Sequence, residues 1–340
     1  MSDLNTSYIW HGREDLEDGT KGLRWHQVIK KTNQHFVGTS ACTLVGFECD
    51  TGVAANKGRT GASQGPMAIR DALSNMAWHG SASNIGLLDR GDVITTSTLE
   101  HAQQSFANQI EASLATSELV IGIGGGHEIA WGSFLGLEQH LRKKLPLGKP
   151  AKKIGIVNFD AHFDLRVPSP SASSGTPFRQ IAEHCISTGQ TFDYACIGVA
   201  QPYNTRALFE YAKQLNVRYL LDIDCTVEAA KELLKPMLLN VDELYVTICL
   251  DAFPASIAPG VSAPSSLGIS PQFVIQLIRW LVDSQQSLHY HWQLADIAEM
   301  NPKFDIGNIT GKLAARLIFE ILACHLKAAQ EIVNITPAPL

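Results

Sequence analysis

Residues 154–164 read IGIVNFDAHFD. The first six are apolar but for Asn158, and such a short run bounded by polar residues suits a strand buried on both faces of a parallel sheet. Directly after it come Asp160, His162 and Asp164. Alternate residues of an extended segment point to the same side, so these three are expected to converge at the carboxyl end of the strand. Two carboxylates and an imidazole form a hard oxygen and nitrogen donor set, suited to Mn²⁺ or Fe²⁺ rather than to a thiolate-rich structural zinc site. The plainer alternative is a solvated loop whose histidine caps a helix.

Working outward, similar apolar runs lie at 43–47 (TLVGF), 85–89 (IGLLD), 119–124 (LVIGIG), 194–199 (YACIGV), 218–222 (RYLLD), 244–250 (LYVTICL) and 292–299 (WQLADIAE). Helical patterns fall between them, at 67–76 after Gly65-Pro66, 99–117, 128–144, 205–215, 270–284 and 311–332. Strand alternating with helix implies parallel pairing through right-handed crossovers. Eight strands of this kind predict one three-layer α/β/α domain spanning residues 1–340, with a (β/α)₈ barrel as the rival architecture. Residues 1–38 are polar, show no clear strand and are expected to wrap the surface. The tail 336–340 is expected to fray. The Ser/Pro-rich stretch 168–177 is read as an active-site loop because it follows the Asp-His-Asp motif.

Composition narrows the function. The 340 residues carry 27 basic and 33 acidic side chains, a net charge of −6, and no basic tract stands out, which argues against nucleic acid as a partner. No apolar stretch is long enough to cross a bilayer, and the N-terminus lacks the apolar core of a signal peptide. The seven cysteines are odd in number and without CxxC spacing, which fits buried thiols in a reducing, cytoplasmic setting.

Three further signals sit at strand ends. Gly124-Gly125-Gly126-His127-Glu128 follows LVIGIG, and its glycines allow close backbone approach. A glycine-rich turn also suits a phosphate, but this one matches neither GxxxxGK[ST] nor GxGxxG. Asp251 closes LYVTICL, where a strand-end aspartate starting a turn is the ordinary reading. Glu299 ends WQLADIAE, where a buried carboxylate needs either a cationic substrate group or an internal arginine. Singly each is weak. Together with Asp160, His162 and Asp164 they fall on one edge of the expected sheet, the edge where open α/β sheets bind ligands. His289-Tyr290-His291 also has metal-like spacing, but it enters its strand from the opposite end and is read as surface or core histidine.

With these motifs in place, the sequence resembles the ureohydrolase family of arginases, agmatinases and formimidoylglutamases. The resemblance runs from about residue 43 to 325 and rests on GGGH (124–127), DAHFD (160–164), TICLDAFPASIAPG (247–260) and EMNP (299–302). It implies an eight-stranded, mostly parallel sheet in three layers, which decides against the barrel. It also implies a two-manganese site and, by analogy, a homo-oligomer. The stretches 46–66, 158–166, 173–181 and 197–209 are most similar to the formimidoylglutamase branch, whose members hydrolyse N-formimidoyl-L-glutamate to L-glutamate and formamide in histidine degradation. The alternatives are a urea-releasing hydrolase of a guanidino acid and a metal-binding relative without activity.

Carried over position by position, the resemblance assigns His127, Asp160, Asp164 and position 249 to one manganese, and Asp160, His162, position 249 and Asp251 to the other. Position 249 is the bridging aspartate of the family pattern, yet here it is Cys249. A thiol is a soft donor, poorly matched to Mn²⁺. Cys249 is therefore either a ligand or a small buried thiol, and the second ion is expected to be the weaker one. Ser174 stands where agmatinases carry a histidine linked to proton transfer, which argues against the arginase and agmatinase branches. Asp164 is expected to orient the attacking water, Glu299 to hold the cationic end of the substrate, and Arg59, Arg166 and Arg179 to compete for its carboxylates.

Overall fold

The computed structural model describes residues 4–31, 39–80, 86–95 and 97–335. Ten strands among them form one sheet: β1 (Leu4–Asn5), β2 (Ile29–Lys31), β3 (Ser40–Glu48), β4 (Leu87–Ile94), β5 (Ser117–Gly124), β6 (Ile154–Phe159), β7 (Asp193–Val199), β8 (Arg218–Leu221), β9 (Glu243–Cys249) and β10 (His291–Ala298). Their order is β1-β4-β3-β5-β10-β9-β6-β7-β8, with β2 also paired to β4. Only β1 runs antiparallel to its neighbour; the other pairings are parallel. The order is open, so the sheet is α/β and not a barrel.

The eight strands expected from sequence correspond to β3 through β10. The expectation for residues 1–38 needs correction, because β1 and β2 both lie in that stretch. At two and three residues they are too short to show any periodicity. Side chains hold this segment to the sheet edge as well. Trp10 Nε1 donates to Asp89 Oδ2 at 2.8 Å, and the buried Arg70 bridges Asp89 and Asp92. Gly46 on β3 is required here, since a Cβ would sit 1.6 Å from Asp92 Oδ1. The tail 336–340 lies outside the described residues.

Alternation along the strands builds the three layers. On β6, Val157 and Phe159 join one core, whereas Ile154 and Ile156 join the other. On β9, Leu244, Val246 and Ile248 face the first and Tyr245 the second. Helices Gly65–Ser74, Val227–Leu238, Pro271–Leu288 and Ile309–Ile335 cover the first face; Leu99–Leu114, Ile129–Lys144 and Pro177–Thr188 cover the second. The last residue of the His289-Tyr290-His291 triplet pairs with Glu243 at the amino end of β9, while His289 takes the left-handed position that ends its helix. That triplet is therefore remote from the carboxyl edge, as its sequence position implies.

The connection from β5 to β6 skips two places in the sheet, which β10 and β9 later fill. The carboxyl ends of β5, β10, β9 and β6 thus stand side by side. Such a topological switch point is where ligand crevices open.

Candidate metal centre

The turn after β5 is shaped by its glycines. A Cβ on Gly125 would fall 1.7 Å from the Cys49 carbonyl oxygen, so only glycine lets this turn lie against the loop after β3. Gly125 N donates to Phe47 O and Gly126 N to Cys49 O, at 3.0 and 2.9 Å. His127 follows, and its side chain is buried. Its Nε2 lies 3.0 Å from Thr247 Oγ1 on β9. Its Nδ1 lies 2.9 Å from Asp160 Oδ2 and 3.0 Å from Asp164 Oδ2, yet directs a hydrogen bond at neither. The ring nitrogen and two carboxylate oxygens thus face a common point, as ligands of one ion do. Thr247 holds the other nitrogen, the role outer partners of metal-bound histidines have.

Asp160 is fully buried. Its Oδ1 accepts the His162 backbone N–H at 2.7 Å and its Oδ2 accepts Asn158 Nδ2 at 3.0 Å. His162 Nδ1 lies 3.2 Å from Asp251 Oδ2. Two three-donor sets result, His127/Asp160/Cys249 and Asp160/His162/Asp251, each with its donor atoms within 4.8 Å of one another. Asp160 belongs to both. Asp164 adjoins the first through His127.

Electrostatics agree with a site built for cations. Burial disfavours charge on His127 and His162, yet the surrounding carboxylates raise both well above the ordinary imidazole range. Burial and the Asp160 charge push Asp164 up to about 6. Asp251 Oδ1 and His127 Nδ1 are buried without a hydrogen-bond partner. An orphaned carboxylate oxygen is costly, and a divalent cation would satisfy it. The donors therefore fit the implied ions, with Cys249 the one soft atom among them. Burial, then the charges of Asp160 and Asp251, push the Cys249 thiol well up.

Glu299 forms the cavity floor beside this cluster. Its backbone N–H donates to Gly125 O at 2.8 Å, and its Oε1 accepts the His127 backbone N–H at 2.9 Å. Oε2 is buried and has no partner. Burial, with the charges of Asp251 and Glu128, pushes the carboxyl up to about 8. Asp164 and Glu299 have φ of 50° and 69°. Side chains rarely adopt this left-handed region, and such residues concentrate at functional sites.

Above the floor opens a cavity of about 310 Å³, lined by Asn56, Lys57, Arg59, Arg166, Ser174 and Tyr203 among others. The three arginines named from sequence separate here. Arg166 lines the cavity, is exposed, and its guanidinium has no acceptor among the described residues. Arg59 also lines it, but Nε and Nη2 donate to the carbonyls of Ser262 and Val261 and the group lies 4.0 Å over the Phe304 ring. Arg179 is not in the cavity lining. It pairs with Glu183 one helical turn on and stacks over Tyr211, so its place as a substrate contact is corrected.

Three residues escaped the sequence reading. Thr247 was findable, because it lies two places before Cys249 on one strand and so shares its face. Lys57 and Asn56 line the wall from the loop after β3, and nothing in their local spacing marks them out. Ser174 does reach the cavity, where its Oγ accepts from Asn56 Nδ2 at 3.3 Å.

The chain matches the arginase family over residues 40–324. It is 44% identical over 334 residues to the formimidoylglutamase of Aliivibrio fischeri, covering 92% of this chain and 93% of that one. It is 44% identical over 318 residues to the formimidoylglutamase of Ralstonia nicotianae, covering 92% and 94%. Among solved structures, Trypanosoma cruzi formiminoglutamase with Mn²⁺ superposes with a TM-score of 0.72 at 23% identity, covering 84% of this chain and 94% of that one. The formimidoylglutamase of Bacillus subtilis gives 0.74 at 19%, covering 89% and 92%. Among the described residues no helix is long and apolar enough to cross a membrane.

Proposed function

We propose, from the premise that this chain belongs to the arginase family, that it is a manganese-dependent hydrolase of N-formimidoyl-L-glutamate. Water and substrate yield L-glutamate and formamide, a step of histidine degradation. The observation that carries this reading is the pair of donor sets sharing Asp160 on the floor of a cavity whose wall bears Lys57, Arg59 and Arg166. Anionic floor and cationic wall match a substrate with an amidinium at one end and two carboxylates at the other. We read residues 1–340 as one catalytic domain.

His127, Asp160, Asp164, Cys249, His162 and Asp251 would hold the ions. When bound, the ions lower the pKa of water and stabilise charge developing at the reacting carbon. Glu299 Oε2 accepts a hydrogen bond from the formimidoyl N–H groups, while Oε1 remains tied to the His127 backbone. That contact fixes the amidine carbon over the cluster. Asp164 accepts a hydrogen bond from the attacking water and aims its lone pair at that carbon. Collapse of the tetrahedral adduct breaks the bond to the glutamate nitrogen, which leaves as the amine with the proton that the attacking water gave up to Asp164. Ser174 lacks an ionising group to supply that proton near neutral pH. Arg166 offers a planar fork to one substrate carboxylate, and Lys57 offers a point charge to the other.

The test is product identification. The protein is incubated with N-formimidoyl-L-glutamate, arginine or agmatine, with and without added Mn²⁺. Formamide and glutamate are expected from the first, and little or no urea from the others. Comparable urea release from arginine would place the chain on another branch, and no turnover of any amidine by metal-loaded protein would leave a binding protein.

Cys249→Asp is expected to tighten manganese binding about tenfold. Replacing a neutral thiol by a carboxylate adds two hard oxygens and a charge between two divalent ions, which repel each other at roughly 3.5–4 Å in two-metal sites. Metal content per chain and a Mn²⁺ titration of both forms check this. Two tightly held manganese ions in the unaltered protein, with no change on substitution, would contradict it.

A further inference from the structure

Glu128 sits beside the metal cluster without belonging to it. It is fully buried, and it is absent from the cavity lining. Its Oε1 accepts the Gly52 backbone N–H at 2.7 Å, and Cys49 Sγ lies 3.7 Å away. Its Oε2 is buried without a partner. Two glycines make the space it occupies. A Cβ on Gly52 would lie 2.5 Å from the Glu128 carboxyl carbon, and one on Gly126 would lie 2.0 Å from Oε2. Walled in from both sides, the carboxyl has one place to sit.

These two glycines belong to different parts of the site. Gly126 immediately precedes His127. Gly52 lies in the short helix Thr51–Ala55, which runs directly into Asn56, Lys57, Gly58 and Arg59 on the cavity wall. The far end of that loop is fixed independently, by Gly61 N donating to Asp50 Oδ2 at 2.6 Å and by Arg59 N donating to Ser262 Oγ at 2.9 Å. Glu128 is anchored in turn through its carbonyl, which accepts Gln103 Nε2 at 2.8 Å. We infer that Glu128 is a positioning residue that sets the distance between the metal-ligand turn and the substrate-binding wall at Asn56 and Lys57.

The inference rests on the substrate reading above. It concerns binding of the glutamate portion, because that portion must span the gap between floor and wall. Charge-assisted bonds from a backbone N–H to a carboxylate are short and directional, and a misplacement of about 1 Å far from the chemistry can cost a hundredfold. A Glu128→Ala chain keeps every proposed ligand and Glu299 but frees the first turn of the wall helix.

Full-length, manganese-loaded protein is compared with Glu128→Ala, Glu128→Gln and Gly52→Ala. KM and kcat for N-formimidoyl-L-glutamate, metal content, and the calorimetric Kd of the product L-glutamate are measured. Glu128→Ala is expected to raise KM and the L-glutamate Kd about tenfold, with kcat within about twofold and metal content unchanged, the signature of lost uniform binding. Glu128→Gln keeps an acceptor oxygen for Gly52 and is expected to restore KM to within about threefold. Gly52→Ala crowds the carboxyl from the wall side alone and should raise KM as Glu128→Ala does, which keeps the test available if the latter fails to fold. Unchanged KM in Glu128→Ala or Gly52→Ala overturns the inference. So does a parallel loss of metal and kcat, which would assign Glu128 to the metal turn instead. Turnover by the unaltered protein is the control: if it hydrolyses a different amidine, the substrate reading fails and the same KM comparison is made on that amidine.

Discussion

Asp160→Asn is expected to lower amidine hydrolysis about a thousandfold and to leave the protein with little bound manganese. Asp160 is the one donor common to both three-ligand sets, so the substitution removes a negative charge from each. Metal ions supply several kcal/mol of transition-state stabilisation, and about 4 kcal/mol corresponds to three decades in rate. Asparagine matches aspartate in size and can still accept the His162 backbone N–H through its oxygen, so the loop is expected to keep its shape. Turnover of N-formimidoyl-L-glutamate and manganese per chain, read beside circular dichroism, check the result. Removal of metal from the unaltered protein by a chelator should give the same loss, reversed by Mn²⁺. Full activity in a verified metal-free sample would rule out the proposed chemistry.

Glu299→Gln separates recognition from metal binding. Its Oε1 holds the His127 backbone, and a glutamine oxygen can do the same. Only Oε2 is lost, an oxygen that the positive charge of the ions and the substrate would hold ionised and that has no protein partner. Removing one member of a desolvated charge pair typically costs 2–5 kcal/mol, so kcat/KM is expected to fall about a hundredfold or more at unchanged metal content. L-Glutamate lacks the amidine, so its affinity should stay within about twofold. If metal content falls in step with activity, Glu299 supports the ligand turn and not the substrate cation.

The central part of this architecture was legible because burial leaves a plain trace in sequence. β5, β6, β9 and β10 are covered on both faces, read as near-continuous apolar runs, and end in Gly, Phe, Cys and Ala at or just before the polar residues of interest. β1 and β2 left no such trace, since what fixes them is pairing with β4 and the Arg70 network. The same contrast holds in the site. His127, Asp160, His162, Asp164, Asp251 and Glu299 were visible because polar groups at the ends of buried strands are expensive and few. Of the cavity wall, Arg59, Arg166 and Ser174 were named only through the family resemblance, and Lys57 was missed, since a cation on an exposed loop looks like any solvated residue. Arg179 shows the converse error: it lies beside a motif in sequence, but the helix Pro177–Thr188 turns it towards Glu183 and Tyr211.

The place of β10 in the sheet has a consequence for biosynthesis. It lies between β5 and β9 but is the last strand to leave the ribosome. Until it inserts, β5 with His127 has no neighbour on the side that faces β9, β6 and the remaining ligands. A nascent chain that ends before residue 291 therefore carries its donors on two unjoined half-sheets. Closing that gap requires contacts between segments more than a hundred residues apart, the slowest class to form. Capture of the proposed ions would thus be a late event in maturation, after a stage with two exposed strand edges in the middle of the sheet. Such edges invite pairing with other chains. The centre that makes the protein a catalyst is also the seam along which its folding is completed.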